Sequence, residues 1–233
     1  MKFKDLKPSL IQLPAGQTFY RVQLTRARKT SVRINGLLLS PTGLKTGRFC
    51  LETEPTAYMA NSEHTALYES MFRRDIQSCS LSDLAKRSLA KFSNKAPLRL
   101  ADLRSLAATY PVLQAQRFSS TQAFAKECRQ HDLDGIIYES AQHPHHTCMA
   151  IFESGIAKLK KVSSLPLGLQ TLADRYFPGG RLDALSIEHA IVAVEDIVML
   201  WHKKLPANAS LCTADAGIIQ LAQWAGMPHQ NVP

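Results

Sequence analysis

The sequence predicts an α+β fold, and three observations carry that expectation. Short segments rich in aromatic and branched residues, bounded by turn residues, recur through the first two thirds of the chain. Helix candidates with capping residues at their N-termini lie between them. The composition, 45% hydrophobic and 20% charged, is that of an ordinary globular protein, which excludes wholesale disorder and collagen. With 233 residues the chain can bury a core without disulfide staples.

The elements follow in order. Phe19–Leu24 alternates aromatic and branched residues and reads as a strand. Gly36–Gly47 contains Ser40-Pro41-Thr42-Gly43 and reads as a turn-rich loop. Ala57–Met59 is a short strand. Asn61 or Ser62 caps a helix over Glu63–Arg73, with Glu63 placed to favour the helix dipole. Leu67 with Met71, and Tyr68 with Phe72, are i,i+4 pairs on that helix, and Glu69 lies at the edge of its buried face. Ser88–Phe92 and Pro97–Leu100 read as strands. Ser119 or Ser120 caps a helix to Gln130 with Ala123, Phe124 and Cys128 inward. Asp134-Gly135 forms a turn before the strand Ile136–Tyr138, and Cys148–Phe152 is a further strand; a histidine-rich loop, Ala141–Thr147, joins the two. Leu165–Arg181 is irregular. Ser186–Trp201 has apolar residues at helical spacing (Ile187, Ile191, Val194, Val198, Trp201), and Ala214–Trp224 reads as a second helix. Two domains are expected: one over 15–163 and a C-terminal helical extension over 164–233 packed on it.

Cys50, Cys79, Cys128, Cys148 and Cys212 are odd in number, widely spaced and without C-x-x-C, which fits reduced thiols rather than a disulfide framework or a tetrahedral zinc site. Met1–Asp5 has no apolar run after its basic residues, so no secretory signal is read there. Ala190–Trp201 is interrupted by Glu195 and Asp196 and is too short for a bilayer. The expectation is a cytoplasmic protein without a membrane partner. The net charge of +9 invites a nucleic-acid reading, but charge alone speaks only to solubility and nonspecific attraction. It is also uneven. Arg21–Cys50 holds seven bases and no acid, whereas the stretch from Leu182 to the end holds five acids and two bases.

Three groups of residues carry chemistry when read together. They are Phe19-Tyr20-Arg21-Val22; Arg48-Phe49, Ala57-Tyr58-Met59-Ala60 and Thr65-Ala66-Leu67-Tyr68-Glu69; and Asp134–Ala141, closing with Cys148–Phe152. Taken singly, Arg21 reads as a strand-surface charge, Glu69 as a solvated helix residue and Tyr58 as core. In this order and spacing the set resembles the RES-domain family, named for an Arg, a Glu and a Ser that match Arg21, Glu69 and Ser140 here. The resemblance covers Phe19 to Phe152. It implies an ADP-ribosyltransferase-like fold: a bent mixed β-core with surrounding helices. It also implies the toxin of a toxin–antitoxin pair that degrades NAD⁺ at the nicotinamide–ribose bond by phosphorolysis or hydrolysis. An Xre-type helix-turn-helix antitoxin would occlude the cleft, and DNA would be reached only through it. Homo-oligomerisation is left open.

The residue types suit that chemistry. NAD⁺ is the substrate rather than a prosthetic group, with inorganic phosphate as a co-substrate in phosphorolysis. Arg21 and Arg48 can clamp a pyrophosphate. Glu69 can stabilise an oxocarbenium-like ribose. Tyr58 can stack on the cationic nicotinamide, and Ser140 can hydrogen-bond ribose or carboxamide. No G-x-S-x-G elbow supports Ser140 as a nucleophile. Where family members often carry Ser-Ala-Arg, this chain has Ser140-Ala141-Gln142; if that Arg holds phosphate, Arg48 or a histidine of the loop must compensate. His143, His145, His146 and Cys148 do not match a closed zinc pattern, and no metal is expected. Neither a P-loop nor a G-x-G-x-x-G after a strand is present. Three other readings compete: mono-ADP-ribosylation of a bacterial protein, a secreted NAD⁺-degrading effector, and a basic nucleic-acid-binding or scaffold module. The last predicts steeply salt-dependent binding.

Overall fold

The computed structural model describes residues 3–71, 78–106, 109–110 and 118–168, together with the short segments 191–193, 211–213 and 229–231. In chain order the elements are α1 (Phe3–Leu6), β1 (Ser9–Leu13), β2 (Thr18–Leu24), β3 (Val32–Ile34), β4 (Leu37–Leu39), β5 (Ala57–Ala60), α2 (Glu63–Ser70), β6 (Ser78–Ser80) and α3 (Leu81–Ala85). There follow β7 (Arg87–Asn94), β8 (Leu98–Asp102), a 3-10 turn (Arg104–Leu106), α4 (Ser119–Gln130), β9 (Gly135–Glu139), β10 (Thr147–Ile151), α5 (Glu153–Ile156), β11 (Leu159–Pro166), β12 (Ile191–Ala193), β13 (Leu211–Thr213) and β14 (His229–Asn231). The chain divides into two compact units, Met1–Ser70 with Leu89–Ser164, and Met71–Ser88 with Leu165–Pro233.

The first unit is α+β and is built on a mixed eight-stranded sheet ordered β1-β8-β9-β10-β5-β2-β7-β11. β8 and β9 run parallel, and α4 lies on the connection between them. The pairs β1–β8, β9–β10, β10–β5 and β5–β2 are antiparallel. Register sorts the side chains between two faces, because partners across a ladder point the same way and neighbours along a strand point oppositely. Met149 is opposite both Met59 and Ile137, and this row joins Phe19, Phe92, Leu98, Leu100, Ile151 and Leu159 in the main apolar core. On the other face Cys148 is opposite Tyr138 and Ala60, and Ala150 is opposite Ile136 and Tyr58.

Two features explain local positions. β3 and β4 form a hairpin whose two-residue turn is Asn35-Gly36, both in the left-handed region at φ 50° and 83°, as a type I′ turn requires. The buried Gln23 side chain fixes the hairpin to β2, donating to Gly36 O at 3.0 Å and accepting from Leu38 N at 3.2 Å. Its second strand, β4, lies inside what reads from sequence as a loop over Gly36–Gly47. Asp134-Gly135 is also more than a turn. Gly135 opens β9, and a Cβ there would lie 2.3 Å from Ala150 O. The buried Asp134 Oδ2 accepts from Arg99 N at 2.9 Å and from Lys158 Nζ at 2.6 Å.

The helices correct two expectations. Ser119 is the first residue of α4, not its cap; the preceding residue is Phe118, without a side-chain cap. The inward stripe of α4 is Thr121, Phe124, Ala125 and Cys128, while Ala123 faces solvent. In the second unit β6 pairs antiparallel with β12, and β13 pairs parallel with β14. Ile191–Ala193 is therefore strand, against the helix expected over Ser186–Trp201; the rest of that span, and the helix expected over Ala214–Trp224, lie outside the described residues. Among the described residues no helix is long and apolar enough to cross a membrane.

Candidate functional site

The five site residues expected from sequence all lie in the first unit, and most surround one side chain that the sequence reading passed over, Tyr138. This tyrosine is buried on β9, two residues before Ser140, so strand alternation places both on one face. Burial pushes its phenol well above the ordinary range, and the nearby Cys148, Glu69 and Tyr58 act the same way, opposed by Arg48. The Arg48 guanidinium carbon lies 6.0 Å from the Tyr138 ring centre, within reach of a cation–π contact. Phe49 packs on the same ring at 4.9 Å.

Arg21 projects from β2 and spans two strands. Nη1 donates to Tyr58 O at 2.8 Å and Nη2 to Leu38 O at 3.4 Å. Its guanidinium is enclosed although the residue keeps some exposure, and burial lowers its pKa, opposed by Tyr58, Cys50 and Tyr138. The Nε atoms of Arg21 and Arg48 are both buried, with no hydrogen-bond partner among the described residues. A buried N–H without a partner is costly, so an acceptor brought to either atom would be favoured.

The loop that carries Arg48 is held by the first turn of α4. Thr121 Oγ1 donates to Arg48 O at 2.6 Å, and Gln122 Nε2 donates to Lys45 O at 3.1 Å and to Gly47 O at 2.9 Å. Gly47 leaves room for Tyr58, whose hydroxyl would stand 2.5 Å from a Cβ there. That hydroxyl accepts from Phe49 N at 2.7 Å and lies 3.5 Å from Cys50 Sγ. Burial raises its pKa well above the ordinary value, with Cys50 adding to the shift.

Glu69 and Ser140 meet directly. Ser140 Oγ donates to Glu69 Oε1 at 2.5 Å, a short charge-assisted bond. The same oxygen accepts from Gln142 N at 3.2 Å and His143 N at 2.9 Å. A serine hydroxyl has one proton and two lone pairs, so Ser140, 2% exposed, is fully engaged. Its proton is directed at Glu69, and the Cys148 sulfur is a further hydrogen-bonding neighbour. Burial raises the Cys148 thiol far above its usual range, and the Glu69 charge adds to it.

Glu69 is positioned by α2, which Ser62 caps by accepting from Thr65 N at 3.2 Å. Thr65, fully buried, and His143 are further participants that sequence reasoning missed; Thr65 Oγ1 lies 3.0 Å from His143 Nδ1. Thr65 and Glu69 are four apart on a helix, a spacing that puts both on one face, and this was the available signal. Among the described residues no group of three His, Cys, Asp or Glu side chains is arranged to hold a metal.

The geometry thus joins a carboxylate, oriented by a saturated serine, to two arginines with free buried donors and two tyrosines. Among curated proteins none matches the sequence. Among solved structures, a chain of the crystal structure of the M. tuberculosis MbcT–MbcA toxin–antitoxin complex is similar, with 14% identity and a TM-score of 0.49 over 67% of this chain and 87% of that one. The family model described as RES domain matches residues 18–170, a span that contains every site residue described above, and the chain belongs to the RES-domain family.

Proposed function

We propose that this protein is the toxin of a toxin–antitoxin pair and that it consumes NAD⁺ at the nicotinamide–ribose bond, with an Xre-type antitoxin as its neutralising partner. Membership of the RES-domain family supports the reading. The observation that carries it is the 2.5 Å Ser140–Glu69 pair in a site that also holds Arg21 and Arg48 with their unpaired buried Nε atoms.

The chemistry follows from these parts. The bond between ribose C1′ and nicotinamide N1 breaks, and its electron pair leaves with nicotinamide, which becomes neutral. The ribose develops oxocarbenium character, which the Glu69 carboxylate stabilises. An oxygen of inorganic phosphate or of water bonds to C1′; with water a proton is released. The free donors of Arg21 and Arg48 suit the pyrophosphate, and the half-buried Tyr58 offers a ring to nicotinamide. Ser140 serves this reaction through Glu69, since its own hydroxyl is committed.

The test is incubation of the pure, antitoxin-free protein with NAD⁺, with and without phosphate, resolving nicotinamide, ADP-ribose and its phosphate ester. Release of nicotinamide supports the proposal, and the second product distinguishes phosphorolysis from hydrolysis. Unchanged NAD⁺ in both conditions, from folded protein, overturns it.

A further inference from the structure

The loop between β9 and β10 departs from the family pattern at Gln142 and is rich in histidine, and one of these histidines is fixed from three sides. His143 Nδ1 lies 3.0 Å from Thr65 Oγ1. Its ring meets Tyr68, with centres 4.6 Å apart, and His146 stacks on it at 3.6 Å and 10°. Thr65 and Tyr68 both belong to α2, the helix that carries Glu69. Thr65 Oγ1 is itself 2.8 Å from Ser62 Oγ, so the contact to His143 continues the hydrogen bonds that start the helix. At its other end, the His143 backbone N donates to Ser140 Oγ. The loop is closed beneath it by Ser140 N donating to His146 O at 2.7 Å.

One residue therefore ties the helix bearing Glu69 to the serine that holds Glu69. We propose that His143 is a positioning residue for the Ser140–Glu69 pair: its Nδ1 bond to Thr65 places its amide and that of Gln142 on Ser140 Oγ, which fills both acceptor sites and aims the hydroxyl proton at Glu69. The inference rests on the reading of Glu69 as the group that acts on NAD⁺. It locates the effect in the hydrogen bond to Thr65 rather than in the packing of the ring between Tyr68 and His146. Neither direction of that bond matters to the argument, because a threonine hydroxyl and a neutral imidazole nitrogen can each donate or accept.

Three variants of the full chain separate the two contributions. His143→Asn keeps a polar atom close to the Nδ1 position and loses the ring. His143→Phe keeps a ring for Tyr68 and His146 and loses the bond. Thr65→Val removes the hydroxyl at nearly constant shape. Each is assayed for NAD⁺ turnover and for hydrogen exchange of the Gln142 and His143 amides, with the sheet amides as a check on folding. Small displacements of a reacting group can cost up to about a hundredfold in rate, and here a loss of about tenfold is expected. His143→Phe and Thr65→Val lower kcat by that amount with KM for NAD⁺ within about twofold, and their two loop amides exchange faster. His143→Asn stays within about threefold of wild type and retains the protection. Equal turnover in all variants, equal loss in all, or any pattern in which His143→Phe outperforms His143→Asn overturns the proposal. If the wild-type protein consumes no NAD⁺, the functional reading fails. The exchange data then decide alone: faster exchange in His143→Phe and Thr65→Val but not in His143→Asn upholds the clamp, and any other pattern overturns it.

Discussion

The commitment of Ser140 Oγ to three partners separates the roles of two residues that a motif names together. A hydroxyl that donates at 2.5 Å and accepts from two amides cannot also orient a substrate without giving up one of them. In the proposed reaction the negative charge opposite the developing cation belongs to Glu69. Glu69→Gln keeps an acceptor for Ser140 and removes that charge, so the fold should persist while NAD⁺ turnover falls by about a hundredfold or more, the scale of a lost electrostatic stabiliser; thermal unfolding and a nicotinamide-release assay on the same sample check both halves. Arg21 answers a different question. Its fork bridges the carbonyls of Tyr58 and Leu38, which an ammonium cannot do with the same geometry. Arg21→Lys should therefore lower stability by about 1.5–3 kcal/mol, the scale of hydrogen bonds to a charged group, and urea unfolding of the variant against wild type measures it. Arg21, Glu69 and Ser140 stand out in the sequence because each sits in a motif with fixed neighbours. Thr65 and Tyr138 lie in the same motifs and His143 in the histidine loop, but their parts in the site were not legible, for a physical reason. Their partners come from strands and helices distant in sequence, and nothing local distinguishes a buried tyrosine that adjoins a site from one that fills a core.

At the scale of elements, the long strands and the capped helix α2 were legible because alternation and capping are local. The β3–β4 hairpin was not, since its strands have three residues each and its signal, Asn35-Gly36, is two residues long. The stripe of α4 was read correctly at Phe124 and Cys128 and missed at Ala123, because it begins on a polar residue: Thr121 leads Phe124, Ala125 and Cys128 at intervals of three, four and seven, and its hydroxyl faces Arg48 O and Phe118 O. That use of Thr121, together with Gln122, makes the start of α4 the support of the Arg48 loop. Gln122→Ala should leave α4 intact and raise KM for NAD⁺ by about threefold to tenfold with a smaller change in kcat, the signature of weakened binding, measurable by steady-state kinetics. Gly135 shows what the parallel β8–β9 arrangement and its neighbour demand of one position. Gly135→Ala would drive a methyl against the Ala150 carbonyl, a backbone atom that cannot swing aside. Overpacking of this kind costs about 1–3 kcal/mol or more, and a lowered unfolding midpoint would register it.

For the molecule as a whole, the +9 charge that first pointed toward nucleic acid acquires a different meaning once the bases are placed. Arg21 and Arg48, both within the acid-free stretch from Arg21 to Cys50, have buried Nε atoms without a partner among the described residues, and under the proposed function these would meet a small anion. The same enclosure fixes the response of the first unit to alkali. Tyr58, Tyr138, Cys128 and Cys148 all have pKa values raised by burial, so the folded state holds these protons more tightly than the unfolded chain does. The sign follows from proton counting. Below the ordinary thiol range both states are fully protonated and the stabilisation is whole. As pH rises past about 8.5 and then about 10, the unfolded chain releases its thiol and phenol protons first, and stability drains away with a slope set by the difference in bound protons. The lowered pKa of Arg21 works in the opposite direction. Urea midpoints followed by circular dichroism should be level from pH 6 to 8 and fall steadily from about pH 8.5 upward. Tyr138→Phe should flatten part of that fall between about pH 9 and 10.5 by removing one of the titrating groups, whereas a decline unchanged by this variant would assign the alkaline loss to other groups.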